Sequence, residues 1–316
     1  MHILPEVVQE KINKLLSHYP LSRIKTAAQT LTQLYSSNQG SVHELCSEEL
    51  YLAYLAFRLP ATYAAVSDVC TRLLHEYSFC PRSMIDIGAG PGTAALAACE
   101  IFHSLQEVHL FERDAEFIRI GKEFSYTSWQ WHCADVVQDL SYDHTADLTI
   151  ASYSLGEMTA SSRKKAVEFL WCSANKYVVI IEPGTPSGYE TVMQGRDQLI
   201  AAGGHVVAPC PHNKPCPLRG NDWCHFSVRL PRTSFHRLVK EAVLGYEDEK
   251  FSYVVVSKER ITHAPFSRII RAPCKRSGHM YVTLCTRDEG IQNETISRKQ
   301  KELYARAKKL EWGDSI

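Results

Sequence analysis

Three cysteines set the first chemistry this sequence can do. Cys210, Cys216 and Cys224 fall within fifteen residues, in Ala208-Pro209-Cys210-Pro211-His212-Asn213-Lys214-Pro215-Cys216-Pro217-Leu218 and Asn221-Asp222-Trp223-Cys224-His225-Phe226-Ser227. A loop stiffened by prolines has less conformational entropy to lose when its thiolates close around a metal. The paired Cys-x-x-Cys knuckles of a zinc ribbon are absent, whereas Cys-Pro steps like these occur at iron–sulfur ligands. A cluster commonly takes four thiolates, so a fourth has to come from elsewhere. Cys285, in Met280-Tyr281-Val282-Thr283-Leu284-Cys285-Thr286, is the preferred candidate and Cys274 the alternative. Zinc held by the three cysteines and His212 or His225 is the other reading. Cys46, Cys70, Cys80, Cys99, Cys133 and Cys172 are scattered, mostly beside apolar residues, and read as small buried side chains.

A second constellation is Asp86-Ile87-Gly88-Ala89-Gly90-Pro91-Gly92-Thr93, which follows an apolar run and opens a helical one. Glycines there allow a tight turn and close approach of backbone to a ligand at the carboxyl end of a strand. The turn alone also suits a nicotinamide nucleotide. The flanking carboxylates favour another ligand. Asp86 precedes the glycines, placed for an amine or a bridging water. Glu112 ends the next apolar run, placed for ribose hydroxyls, and Asp135 follows the third, placed for an adenine amino group. Together with Gly88, Gly90, Gly92 and Ser152 these resemble the site of class I S-adenosylmethionine-dependent methyltransferases, whose ligand is cationic at sulfur and has no pyrophosphate. At the corner after the fourth strand, Ser152-Tyr153-Ser154-Leu155-Gly156-Glu157-Met158, there is no Asn/Asp-Pro-Pro-aromatic motif and no Pro-Cys nucleophile. Tyr153 and Glu157 stand at that corner, but no catalytic residue is assigned.

The elements that must position these groups are legible as alternating textures. Residues 1–80 read as a helical segment with no chemistry of its own, its helix Glu48–Leu59 ending at Pro60 and a second following. Strands are expected at Ser83–Ile87, Glu107–Glu112, Ser128–His132, Ala146–Ser152 and Tyr177–Glu182. Helices are expected at Thr93–Ser104, Asp114–Ser125, Ser161–Ala174 and Thr191–Ala202. Strand–helix alternation implies βαβ units on a parallel sheet. Phe251–Ser257 and His279–Thr286 are expected to pair as an antiparallel hairpin completing it. The fold class is therefore α/β: a class I methyltransferase-like Rossmann domain over 81–290, preceded by the helical segment 1–80. Residues 203–230 form a cysteine-rich, metal-binding insertion, and 291–316 a basic helix or arm.

Composition narrows the partners. The chain has 316 residues, 45% of them hydrophobic, and 35 Lys plus Arg against 35 Asp plus Glu. From Lys258 to the end, thirteen basic residues face seven acidic ones, a net of plus six, which leaves minus six on the rest. A basic C-terminal portion on a neutral chain suits a localised polyanion such as RNA. No apolar run approaches the roughly eighteen residues of a membrane span. The opening MHILPEVVQEKINKLL lacks a basic then apolar leader, so the expectation is a cytoplasmic monomer with no membrane partner.

Several further stretches carry a specific resemblance. They are Arg58-Leu59-Pro60-Ala61-Thr62-Tyr63, Glu182-Pro183-Gly184-Thr185-Pro186, the cysteine segment, Asp248-Glu249-Lys250-Phe251-Ser252-Tyr253, Arg276-Ser277-Gly278-His279 and Trp312-Gly313-Asp314. With them the chain resembles, over nearly its whole length, the methyltransferase-like proteins of the mitochondrial small ribosomal subunit (methyltransferase-like protein 17) and their bacterial relatives. The resemblance implies an S-adenosylmethionine-type domain carrying a [4Fe–4S] cluster and acting in assembly of the small ribosomal subunit through its rRNA. It implies Cys210, Cys216, Cys224 and Cys285 as cluster ligands. A radical enzyme is disfavoured, because such enzymes bring Cys-x3-Cys-x2-Cys in a barrel.

Overall fold

The computed structural model describes residues 2–36, 47–138, 143–218, 222–232, 234–240, 244–261 and 265–316. Cys46 and residues 219–221 of the insertion lie outside them. The chain divides into two compact units, residues 1–175 with 228–249 and residues 176–227 with 250–316.

The first unit opens with α1 (Glu6–Ser17), α2 (Leu21–Ser36), α3 (Glu48–Ala53) and α4 (Leu59–Tyr77). The expected stop at Pro60 does not occur. A π-helical turn, Tyr54–Arg58, carries α3 into α4, and Pro60 sits in the first turn of α4. There the missing N–H of proline leaves no acceptor wanting, and a π turn is where a helix absorbs such a misfit.

Then come β1 (Ser83–Ile87), α5 (Thr93–Ile101), β2 (Glu107–Glu112), α6 (Ala115–Phe124), β3 (Trp129–Cys133), β4 (Ala146–Ser152) and α7 (Ala160–Ser173). The four strands are parallel, in the order β3-β2-β1-β4. Met84, Ile85 and Ile87 of β1 are fully buried, as expected for a parallel strand covered on both faces. All these strands lie within a residue or two of the positions read from the apolar runs.

In the second unit, β5 (Ala174–Pro183) and α8 (Pro186–Ala201) lead to β6 (His205–Ala208). The chain continues through β7 (Phe226–Pro231), α9 (Ser234–Lys240) and β8 (Tyr246–Ser257), of which residues 228–249 belong to the first unit and the rest to the second. Here the order is β5-β8-β6, with β8 antiparallel to both neighbours. The stretch 203–230 is thus partly strand: its first part is β6 and its end enters β7.

A separate antiparallel sheet follows: β9 (Ser267–Ile269), β10 (Cys274–Arg276), β11 (His279–Thr286) and β12 (Gly290–Ser297). The hairpin expected between Phe251–Ser257 and His279–Thr286 does not form; β8 and β11 belong to different sheets. The sequence holds the reason. Phe251–Ser257 is a continuous buried run, whereas β11 alternates, sending Met280, Val282 and Leu284 into a small core of its own with Ile269, Ile296 and Ala307. A strand that buries both faces and one that buries a single face suit different sheets. Residues 291–316, expected as a helix or arm, supply most of β12 as well as α10 (Lys301–Ala307), and Leu303, Tyr304, Leu310 and Ile316 pack on that core.

Candidate functional site

In the first unit the glycine turn leaves β1 at the carboxyl edge of the parallel strands, the edge where α/β sheets bind ligands. Gly88 adopts φ +62°, and a Cβ there would lie 2.5 Å from the Cβ of Ser154. Gly92 adopts φ +82°, and its Cβ would lie 2.7 Å from the Trp129 ring. Both positions need glycine for conformation and for space. Glu112 braces the turn. Its Oε2 accepts from the Gly90 N–H at 2.7 Å, and its Oε1 from the N–H groups of Arg113 and Asp114 at 2.8 and 2.9 Å.

Asp86 is fully buried, and no partner of normal geometry reaches either carboxylate oxygen among the described residues. Burial pushes its pKa well above the ordinary range; the Glu112 carboxylate adds to this and the Ala95 N–H opposes it. The buried Thr93 hydroxyl is likewise unpartnered among the described residues. Buried acceptors in this condition suit a ligand that brings donors or positive charge. Burial raises Glu112 too, against the pull of its three N–H donors.

Two expected residues stand differently. Asp135 follows β3, but its carboxylate caps its own turn, accepting from the Val137 N–H at 3.0 Å. Ser152 closes β4, half-buried, yet the residue that meets Gly88 is Ser154, which is buried and donates to the Ile87 carbonyl at 3.2 Å.

The helical segment places side chains beside the glycine turn and Tyr153. The Tyr54 hydroxyl lies 3.6 Å from where a Gly90 Cβ would stand, and burial raises its pKa. Arg58 lies 5.4 Å from the centroid of the Tyr153 ring and 3.7 Å from Glu249, which accepts from the Tyr153 hydroxyl at 3.0 Å. Tyr153 itself has φ +54°, a left-handed conformation that is uncommon for a bulky residue and marks stored strain. Glu157 ends a 3₁₀ turn, Leu155–Glu157, half-buried beside these groups.

In the second unit, Cys210, Cys216, Cys224 and Cys285 all line one cavity, with Tyr189 and Arg196. Cys210 follows β6, Cys224 precedes β7 and Cys285 is near the end of β11. Cys274, the alternative fourth thiol, is exposed on β10 and is not among the cavity's lining residues. Enclosure raises the pKa values of Cys210, Cys224 and Cys285. Cys224 stands well above its usual value through burial and then the neighbouring Cys210, Cys216 and Cys285. Cys285 is pushed up to about 12 by burial, Cys210 and Cys216. Burial also raises Cys210, but Arg196 and Arg268 draw it back.

Those two arginines were not visible in the sequence as site residues. Both are fully buried. Arg196 donates to the carbonyls of His212 at 3.1 Å and Lys214 at 2.7 Å, pinning the loop between two cysteines. Arg268 donates to the carbonyls of Pro209 at 3.1 Å and Gly313 at 2.8 Å. The loop is further fixed by Trp223, which donates to the Gly184 carbonyl at 2.9 Å, and by Ser252, which donates to the Cys224 carbonyl at 2.8 Å. The cavity is thus lined by four cysteines and bordered by a loop that buried guanidinium groups hold in place.

Among the described residues, no three His, Cys, Asp or Glu side chains come close enough to hold one metal ion. Tetrahedral zinc at about 2.3 Å from each sulfur needs its sulfurs within about 4 Å of one another, so the zinc reading finds no ready-made site. His212 Nε2 stands 3.7 Å from Cys285 Sγ, while His225 packs against Trp223 and Trp312. No helix among the described residues is long and apolar enough to cross a membrane.

Comparison with known proteins adds a family. The family model described as "Mitochondrial small ribosomal subunit Rsm22" matches residues 48–316. Human "Ribosome assembly protein METTL17, mitochondrial" is 28% identical over 85% of this chain and 63% of its own length. "Rsm22-cox11 tandem protein 2, mitochondrial" of Schizosaccharomyces pombe is 26% identical over 83% of this chain and 42% of its own. The chain thus spans less than two thirds of the length of these curated relatives. Among solved structures, the N-methyltransferase NodS of Bradyrhizobium japonicum with S-adenosyl-L-homocysteine aligns at TM-score 0.44 and 10% identity, covering 74% of this chain and 99% of that one. At that score the likeness adds nothing to the strand order described above.

Proposed function

We propose, from the premise that this chain belongs to the Rsm22 family of the mitochondrial small ribosomal subunit, that it is a cytoplasmic assembly factor for a small ribosomal subunit. In this reading it binds the subunit's rRNA, carries a [4Fe–4S] cluster on Cys210, Cys216, Cys224 and Cys285, and binds S-adenosylmethionine at the glycine turn. The observation that carries the reading is the convergence of those four thiols on one cavity. A cluster spreads its ligands around a larger body than a single ion does, so it does not require the close packing of donors that zinc needs. The buried charges of Arg196 and Arg268 offset the negative charge of four thiolates. Enclosed, proline-framed and held by carbonyl-pinning arginines, the cluster is structural, keeping the loop in shape. Electron paramagnetic resonance of the reduced protein tests the ligand set: the cluster signal is expected in the wild type and lost in Cys285→Ser.

At the glycine turn, Asp86 and the Thr93 hydroxyl would meet the donor groups of S-adenosylmethionine, and Glu112 would hold the turn in place. The bound group supplies an electrophilic methyl on a sulfonium. Methyl transfer to rRNA is the enzymatic form of the proposal.

A second reading, a catalytically inactive RNA-binding assembly factor on the same fold, draws on specific contacts. All three backbone N–H groups that Glu112 receives leave it little capacity for ribose hydroxyls, and Tyr153 is engaged by Glu249 and Arg58. Calorimetric titration separates the two: heat on adding S-adenosylmethionine supports the first, and none at millimolar ligand leaves the second.

A further inference from the structure

The strand β11 alternates in burial from His279 to Leu284. Met280, Val282 and Leu284 enter the core, so His279, Tyr281, Thr283 and Cys285 share the opposite face. Across the antiparallel ladder, Tyr281 stands between Cys274 and Thr295, and His279 between Arg276 and Ser297, while Thr283 faces Asn293. Directly opposed residues project to the same side of a sheet. This second face therefore carries Arg276, His279 and Tyr281 side by side.

The composition of the face is specific. Tyr281 is 46% exposed, and its ring meets that of His279 edge to face at 5.1 Å. Arg276 is exposed, as are Arg298 and Lys299 just beyond β12. The aliphatic part of Arg298 lies 3.8 Å from where a Gly278 Cβ would stand, beside the β10–β11 turn. The one carboxylate of β10–β12, Glu294, is opposite Val282 and so on the other side. Lys275, also on that other side, is occupied with the Lys308 carbonyl at 2.9 Å. An exposed ring flanked by cations and by no carboxylate matches a partner that is flat, apolar on its faces and anionic along its backbone.

We propose that this outer face of β10–β12 is a docking platform for single-stranded RNA. Tyr281 stacks on a base, His279 holds the tyrosine ring at its edge, and Arg276 and Arg298 meet the adjoining phosphates. The proposal rests on the RNA partner of the function proposed above and adds where that partner sits.

Fluorescence anisotropy of a labelled, mixed-sequence single-stranded RNA against the full-length chain tests it. Tyr281→Ala is expected to weaken binding about tenfold, the usual effect of losing one stacked base, while Tyr281→Phe binds as the wild type does. Arg276→Ala is expected to lower the slope of log affinity against log salt by about 0.7, one phosphate contact on a single strand. Unchanged melting temperatures establish that these surface variants fold. Wild-type affinity in Tyr281→Ala overturns the platform and leaves the RNA partner standing. Failure of the wild-type chain to bind RNA overturns both. A concentration-dependent dimer that Tyr281→Ala dissociates assigns the face to a second copy of the chain and overturns the platform as well.

Discussion

Asp86 is the residue at which stability and ligand chemistry oppose each other. Its folded-state pKa is raised above 3.8, the ordinary aspartate value, so the folded chain holds the proton more tightly than the unfolded one. The stability linked to that proton is complete below the ordinary value and is lost as pH rises through the raised one. Asp86→Asn removes the loss. Without ligand, the variant is expected to gain roughly 0.5–2 kcal/mol at neutral pH. The gain shrinks to nothing in acid, and denaturant titrations across pH follow it; a pH-independent difference contradicts the assignment. The same change is expected to weaken S-adenosylmethionine binding. At the thiol site, Cys285→Ser is expected to abolish iron retention and Cys274→Ser to leave it intact, read by iron content after gel filtration. The sequence singled out Cys285 from its place in the last apolar strand read there, and it lines the same cavity as the three loop cysteines. Arg196 and Arg268 were not legible, because a buried arginine that serves distant carbonyls leaves no local pattern. Tyr54 and Arg58 escaped for a similar reason: their partners, the glycine turn and Glu249, are remote in sequence.

At the scale of elements, the glycine turn and the cysteine loop are held by opposite means. The turn depends on the absence of side chains. Gly92→Ala forces a Cβ against Trp129 at φ +82°, and a loss of about 1–3 kcal/mol is expected in chemical denaturation. The loop depends on a side chain instead. Arg196→Lys keeps the charge but has one nitrogen where arginine uses two, Nη2 for the His212 and Lys214 carbonyls and Nη1 for Asp197, and a loss of about 1–3 kcal/mol is expected. Equal stability of wild type and Arg196→Lys would show that charge alone suffices. The four parallel strands were legible to within a residue or two because each is a local apolar run with glycine or polar punctuation, whereas α8 begins five residues before the position read for it. The pairing of β11 was not legible, because register and partner are set by distant chain. Its alternation, against the mostly apolar Phe251–Val256 of β8, was the available signal. The helix through Pro60 was misjudged because the π turn that admits it arises from packing rather than from propensity.

For the whole molecule, zero net charge conceals a basic C-terminal portion, and the structure folds that portion into β9–β12 and α10 rather than leaving it as an arm. Its cations then belong to an ordered surface, with Cys285 on the same strand as Tyr281. The proposed function requires the four thiols to hold an inorganic cofactor. Elemental analysis of the full-length chain purified without oxygen tests this most directly. About four irons and four acid-labile sulfides per chain are expected from a [4Fe–4S] cluster; a colourless protein carrying one zinc, or no metal, would contradict it.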